Sequence, residues 1–341
     1  MKLTDFYYDL DESFIAQTPL ENRSASKLLV LNKLSGEIVH TKFCSIFNFL
    51  NKGDCLIFND SKVLKARLFG INEKTKAKLE FLLLNELEPG VWKVLCKPAK
   101  RARVPQRFNF DHRLSAIVLK ELNEGIRIIK FEGFVENFFN ILNEIGKMPL
   151  PPYIKTKLVD QSRYQTVYSK NLGSVAAPTA GLHFTVKLLN ELRQNGVKIG
   201  FLTLHVGLGT FRPVKALNVV DHKMHFENYF LTQEVADLIN ETKRQGNRVI
   251  CVGTTSCRTL ESVFLKNRKI CADYGATNLF IYPGFKFEVV DGLITNFHLP
   301  CSTLLMLVSA LAGKSRVFKA YDQAKERGYR FFSFGDAMLI L

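Results

Sequence analysis

Two kinds of periodicity share this chain, and their division limits the fold more than any other feature. From residue 63 to 148, short alternating segments recur at 66–71, 78–84, 92–96, 114–119 and 126–131. Period-two alternation broken by turn residues predicts a small all-β unit of barrel type. Residues 146–154, G-K-M-P-L-P-P-Y-I, carry three prolines and predict a stiff extended connector. Beyond it the pattern becomes strand, polar turn and helix, several times over.

The expected architecture is therefore α/β (α+β). A discontinuous, barrel-like main domain of residues 1–62 and 149–341 carries an inserted β-barrel domain of residues 63–148. In the main domain, 28–31, 37–40, 55–58, 197–206, 248–252, 278–282, 293–296 and 330–334 read as strands. Thr232 and Ser302 are expected to cap helices over 233–245 and up to residue 312, and a last helix is expected over 315–327. In layered α/β folds the polar turns after the carboxyl ends of strands gather on one face. One composite pocket is therefore expected there, although the strand order is not readable.

The turn at 174–184, S-V-A-A-P-T-A-G-L-H-F, is chemically prescribed by Pro178 and Gly181 and presents Thr179 and His183. A hydroxyl and an imidazole there suit substrate binding and proton transfer, the plainer alternative being a strand–helix connection with a satisfied histidine. At 248–262, R-V-I-C-V-G-T-T-S-C-R-T-L-E-S, a strand meets Gly253, Thr254, Thr255, Ser256 and a helix start. Its free N–H groups can receive a carboxylate or phosphate, with Arg258 in support, unless the segment is a helix start without a ligand. His222, His225 and Glu227 cluster in H-K-M-H-F-E. That order lacks the H-E-x-x-H pattern and a remote third ligand, so a hydrogen-bonding or base cluster is preferred over a metal site. His205 stands before Gly207 and Gly209, and Asn296 and His298 follow the strand at 293–296.

With 47 Lys+Arg against 32 Asp+Glu, the formal net charge is +15, which suits a polyanionic partner. The run K-P-A-K-R-A-R-V-P-Q-R at 97–107 is a candidate phosphate-facing loop, or simply a solvated face. Seven cysteines without a C-x-x-C pair indicate neither a disulfide framework nor a thiolate zinc site. The acidic amino terminus has no apolar signal core and the greasy stretch at 304–312 is too short to span a bilayer, so a cytoplasmic protein is expected.

Taken in order, these motifs resemble the tRNA ribosyltransferase-isomerase family of queuosine biosynthesis. The matching stretches are F-I-A-Q-T-P-L (14–20), N-D-S-K-V-L-K-A-R-L-F-G (59–70), M-P-L-P-P-Y-I (148–154) and R-Y-Q-T-V-Y (163–168), which contributes Arg163 and Tyr164. They continue through 174–184, L-H-V-G-L-G-T-F (204–211), 222–227 and 252–262. I-T-N-F-H-L-P-C-S-T-L-L-M-L-V-S-A-L-A-G (294–313) and Y-R-F-F-S-F-G-D-A-M-L-I (329–340) complete the set. Ser61, Lys62, Lys65, Lys147 and Ser162 depart from the usual residues, as does the loop at 97–107.

The resemblance implies that S-adenosylmethionine, as a co-substrate and not a cofactor, donates its ribosyl part to a 7-aminomethyl-7-deazaguanine at the wobble position of tRNA. Isomerisation would give epoxyqueuosine, releasing adenine and methionine. No metal is expected, nor a membrane partner, and the chain is expected to be a monomer. Proton removal beside the sulfonium calls for a base among His183, His205, His222, His225, Glu227 and His298, with His183 preferred. Thr254, Thr255, Ser256 and Arg258 would bind the methionine carboxylate or ribose hydroxyls, and Asn296 would orient a base or hydroxyl. The competing classes are an S-adenosylmethionine-dependent RNA methyltransferase, disfavoured by the lack of a G-x-G-x-x-G loop, and a non-catalytic RNA-binding module.

Overall fold

The computed structural model describes residues 1–133, 137–207, 209 and 214–341. Most of the G-L-G-T-F-R-P turn expected after His205 (Leu208 and residues 210–213) therefore lies outside the described residues. The chain divides into two compact units, Met1–Ser61 with Pro152–Asn171 and Ala177–Leu341, and Lys62–Pro151 with Leu172–Ala176.

The smaller unit is a closed antiparallel barrel of six strands: Arg67–Asn72, Lys78–Glu88, Val91–Lys97, Arg107–Asp111, Leu114–Glu121 and Ile126–Gly133. Alternate residues such as Leu68, Phe81, Val94, Phe108, Val118 and Phe131 point inward and are buried, as the period of two requires. Gly70 is glycine because the rings crowd it. A Cβ there would lie 2.9 Å from Phe110 and 3.0 Å from Phe81. One helix, α1 (Phe138–Ile145), follows the barrel; neither it nor the strand Arg107–Asp111 was anticipated.

The larger unit is built on a nine-stranded mixed sheet. Its strands are β1 (Lys27–Leu31), β2 (Ile38–Lys42), β3 (Cys55–Asn59), β4 (Lys198–Leu204), β5 (Glu227–Leu231), β6 (Val249–Val252), β7 (Asp273–Thr277), β8 (Gly292–Asn296) and β9 (Ala337–Ile340). The spatial order is β7-β5-β4-β3-β6-β8-β9-β1-β2. The central strands β3, β6, β8 and β9 are buried along their whole length, as expected of strands covered on both faces. Helices α2 (Val186–Gln194), α3 (Gln233–Arg244), α4 (Thr254–Asn267), α5 (Thr303–Ala312) and α6 (Lys314–Glu326) complete the unit, and Thr232 and Ser302 do cap α3 and α5. On one side of the sheet, Leu28, Phe43, Phe58, Phe184, Leu188, Ile250 and Leu339 share one core, with Phe184 edge-on to both Phe43 and Phe58.

Two strand expectations are corrected. The chain at 278–282 is not a strand; β7 lies just before it and pairs with the unanticipated β5. Thr277 accepts the Leu279 N–H at 3.1 Å and Arg258 binds the Leu279 carbonyl at 2.9 Å, which draws the chain out of the ladder. Residues 330–334 are a turn, not a strand. Asp336 accepts the Arg330 N–H at 2.8 Å and Phe332 adopts a positive φ of 68°, so extended pairing starts only at Ala337.

Topology positions the site. Strands β3, β4, β6 and β8 run parallel, so their carboxyl ends share one edge of the sheet. β9 runs antiparallel to β8, with Ala337 opposite Asn296, and β1 runs parallel to β9, with Leu28 opposite Ala337. The amino ends of β9 and β1 therefore meet the same edge.

Candidate active site

Along that edge the short 3₁₀ turn Thr179–His183 sits over the end of β8. Thr179 Oγ1 donates to Asn296 Oδ1 at 2.9 Å. Asn296 Nδ2 lies 3.2 Å from His183 Nε2 and also donates to the Phe332 carbonyl. His183 Nδ1 is 2.8 Å from Ser26 Oγ at the entry to β1, and its ring stacks on Phe43 with centroids 5.0 Å apart. Since Asn296 can only donate through Nδ2, Nε2 is the acceptor and the proton sits on Nδ1. Burial, reinforced by the nearby Arg330 and Arg23 guanidinium groups, pushes the imidazolium down to about 3. His183 is thus a neutral imidazole with both nitrogens engaged, which suits holding geometry better than taking a proton. Gly181 admits the Tyr168 hydroxyl, which would lie 1.8 Å from a Cβ.

A second group lies across β3, β4 and β6. The Asn59 side chain donates to the Leu204 carbonyl at 2.9 Å and accepts the Leu204 N–H at 3.0 Å, fixing the end of β4. It also reaches Thr255 Oγ1 at 3.3 Å. His205 follows immediately. Its Nδ1 is buried with no hydrogen-bond partner among the described residues. Burial lowers its pKa, while nearby Asp60 opposes the fall. Asp60 is itself held by Thr203 Oγ1 at 2.7 Å and by Asn171.

Gly253, at φ 91°, starts α4 with no side chain capping it, so the first N–H groups of a 14-residue helix open at this edge beside Thr254 and Thr255. Ser256 is turned inward and donates to the Val252 carbonyl. Arg258 is equally buried. Its Nη1 pairs with Glu227 Oε2 at 2.5 Å, and Glu227 Oε1 accepts the Gly207 N–H at 3.0 Å. The two residues, read separately from the sequence, form one ion pair that ties β5 to α4, and Arg258 Nη2 has no partner among the described residues.

Other candidates lie apart. His298 faces Thr295 Oγ1 at 2.7 Å, amid Tyr8, Phe297 and Tyr321; burial pushes its imidazolium down to about 3. His222 is half-buried edge-on to Phe280, and His225 is exposed against Gly209. Among the described residues no group of three or more His, Cys, Asp and Glu is placed to hold a metal. Tyr164 is wholly buried against Phe334, whereas Arg163 lines a small cavity with His183. A larger cleft of about 840 Å³ runs past Ile15, Gln17, Tyr153, Lys155 and Pro300, where the Tyr153 ring packs tilted against Phe332. Among the described residues no helix is long and apolar enough to cross a membrane.

Known proteins match the chain from end to end. The family described as "Queuosine biosynthesis protein" matches residues 3–340. The chain belongs to the queuosine biosynthesis protein family. Two curated relatives, from Staphylococcus epidermidis (strain ATCC 12228) and Clostridioides difficile (strain 630), are each 55% identical over the full length of both chains. Each is named "S-adenosylmethionine:tRNA ribosyltransferase-isomerase". The crystal structure of S-adenosylmethionine tRNA ribosyltransferase from Thermotoga maritima is 38% identical, covers 99% of this chain and all of its own, and has a TM-score of 0.58. The resemblance read from the motifs is therefore confirmed, as is the α/β fold with a closed β-barrel.

In this queuosine biosynthesis enzyme the candidate site also includes contacts from residues that sequence reasoning passed over. Ser26, Phe43, Asn59, Asp60 and Arg330 all bear on the site. Asn59 and Asp60 did carry a signal, two polar residues at the end of the wholly apolar run C-L-I-F. Ser26 and Phe43 carried none, because β1 reaches this edge only through the reversed strand β9.

Proposed function

We propose that the chain transfers the ribosyl part of S-adenosylmethionine to a 7-aminomethyl-7-deazaguanine at the wobble position of tRNA. Isomerisation yields epoxyqueuosine and releases adenine and methionine. The observation that best supports this is the convergence of His205, Asn59, Thr255, Asn296 and His183 on one strand edge, in a chain matching the family from end to end.

The sulfonium acidifies the ribose carbon bonded to it, and a base must remove that proton. His205 is the candidate the geometry favours, since Nδ1 has no partner among the described residues and Asp60 steadies the positive charge the ring would acquire. His183, neutral and doubly hydrogen-bonded, holds Asn296 and Thr179 in place for ribose or base polar groups. The start of α4, with Thr254 and Thr255, offers donors to ribose hydroxyls. The 840 Å³ cleft beside Tyr153 is large enough for a nucleoside. No cofactor is needed, because S-adenosylmethionine is consumed. The deazaguanine leaves its stack to reach the edge, and the basic surface holds the anticodon arm by its phosphates.

The test is the release of free adenine and methionine on mixing the protein with S-adenosylmethionine and tRNA bearing the aminomethyl base. Release in equal amounts, dependent on that tRNA, is expected. S-adenosylhomocysteine as the product would replace this reading with methyl transfer.

A further inference from the structure

Beside His183, three arginines converge on one small cavity. Arg23 opens the short turn Arg23–Ala25 capped by Asn22, Arg163 belongs to the turn Gln161–Tyr164, and Arg330 precedes β9; Ser26 and Leu182 close the sides. Each guanidinium is held in place. Arg23 Nη1 donates to the Leu182 carbonyl at 3.3 Å, Arg163 Nη2 to the Leu20 carbonyl at 2.5 Å, and Arg330 Nη2 meets Asp336 Oδ1 at 3.3 Å.

Backbone carbonyls orient a guanidinium without neutralising it. The acids in reach are already committed. Asp336 accepts the N–H groups of Lys27 and Arg330 besides its arginine, and Asp160 caps the Ser162 N–H from the surface. Three cations thus face two occupied carboxylates and a neutral imidazole. Burial and the charge of Arg163 disfavour the charged form of Arg23, and Asp160 offsets this only in part. Arg163 Nε is buried with no partner among the described residues. An arrangement of this kind is relieved by an anion from outside, to which forked guanidinium groups make paired charge-assisted bonds. The cavity's volume is about 20 Å³, room for little more than one water. It therefore takes one small group and not a nucleoside.

We propose that this cavity is an oxyanion subsite of the reaction centre, where Arg23 and Arg163 grip one carboxylate or phosphate group of a substrate. The proposal rests on the functional reading above. The group is the methionine carboxylate of S-adenosylmethionine or a phosphodiester next to the modified nucleotide.

Equilibrium binding to the full chain separates these sources. The ligands are S-adenosylmethionine, its decarboxylated analogue, an anticodon stem-loop RNA and inorganic phosphate. The proteins are the wild type, Arg23→Gln and the charge-keeping Arg163→Lys, each checked for an unchanged thermal midpoint. If the carboxylate is the ligand, Arg23→Gln weakens S-adenosylmethionine by about ten- to hundredfold, the scale of a charge-assisted hydrogen bond, and leaves the decarboxylated analogue unaffected. If a phosphate is the ligand, the RNA weakens by a similar factor while S-adenosylmethionine does not. Equal affinities in all three proteins, or equal losses for S-adenosylmethionine and its decarboxylated analogue, overturn the proposal. Arg23-dependent binding of inorganic phosphate by a protein that releases no adenine would sustain the subsite while the functional reading falls.

Discussion

Asn59 grips the main chain of Leu204 with both ends of its amide, at 2.9 and 3.0 Å, and so sets where β4 stops and His205 begins. Asn59→Leu leaves that N–H and carbonyl unpaired in a buried setting. It is expected to cost about 2–6 kcal/mol in urea unfolding, at about 1–3 kcal/mol for each unsatisfied group. At temperatures where the variant is folded, turnover is expected to fall at least tenfold, because His205 and Thr255 lose their common anchor. Normal turnover in a folded Asn59→Leu protein contradicts this placement of His205.

The Glu227–Arg258 pair gives a different kind of test. Both residues are about 5% exposed, so removing one partner strands the other charge. Arg258→Met is expected to destabilise by about 3–5 kcal/mol, and the double variant Glu227→Gln with Arg258→Met by clearly less. Equal losses in the single and double variants would mean that the pair is not coupled. Urea denaturation of the three proteins decides it.

Two buried histidines predict a pH dependence of stability. His183 and His298 are both held down to about 3, against about 6.5 in an unfolded chain. Below the unfolded value the unfolded state binds protons that the native state refuses. Stability is therefore complete above about pH 6.5 and drains away as pH falls towards 3, by about 1.4 kcal/mol per pH unit for each histidine. His298→Asn is expected to flatten that slope by about one proton. An unchanged slope between pH 4 and 6 shows that His298 does not titrate this way.

The loop at 97–107 offers a test of the nucleic-acid face. Lys100, Arg101 and Arg103 are exposed, while buried Arg127 donates to the carbonyls of Ala99 and Ala102 and so stiffens the loop from beneath. Replacing all three exposed residues by Gln is expected to weaken tRNA binding and to lower the slope of log K against log salt by up to about 3. Unchanged slope and affinity would reduce this run to a solvated face.

Much of this was legible in the sequence. Alternation at 66–71 and 92–96 announced the barrel, and caps such as Thr232 and Ser302 marked helix starts because a hydroxyl there satisfies an open N–H. What escaped depends on distant partners. β5, Glu227–Leu231, is mostly polar or half-exposed and is a strand only because β4 and β7 flank it. The turn at 330–334 is apolar enough to pass for a strand, and only Asp336 folding back on Arg330 prevents it. The same limit applied to the site. His183 stood out by its turn, but the hydrogen bonds that engage both its nitrogens come from residues 157 positions before it and 113 after. No local pattern distinguishes a base with a free nitrogen from one already committed.

The most direct test follows the atoms. S-adenosylmethionine carrying ¹³C throughout its ribosyl group, or in a separate sample only in its methyl group, is reacted with tRNA bearing the aminomethyl base. The digested nucleosides are then weighed by mass spectrometry. The account predicts that all five ribosyl carbons appear on the modified base as epoxyqueuosine, while the methyl label leaves in methionine. Methyl label on the RNA, with the ribosyl label in S-adenosylhomocysteine, would contradict it.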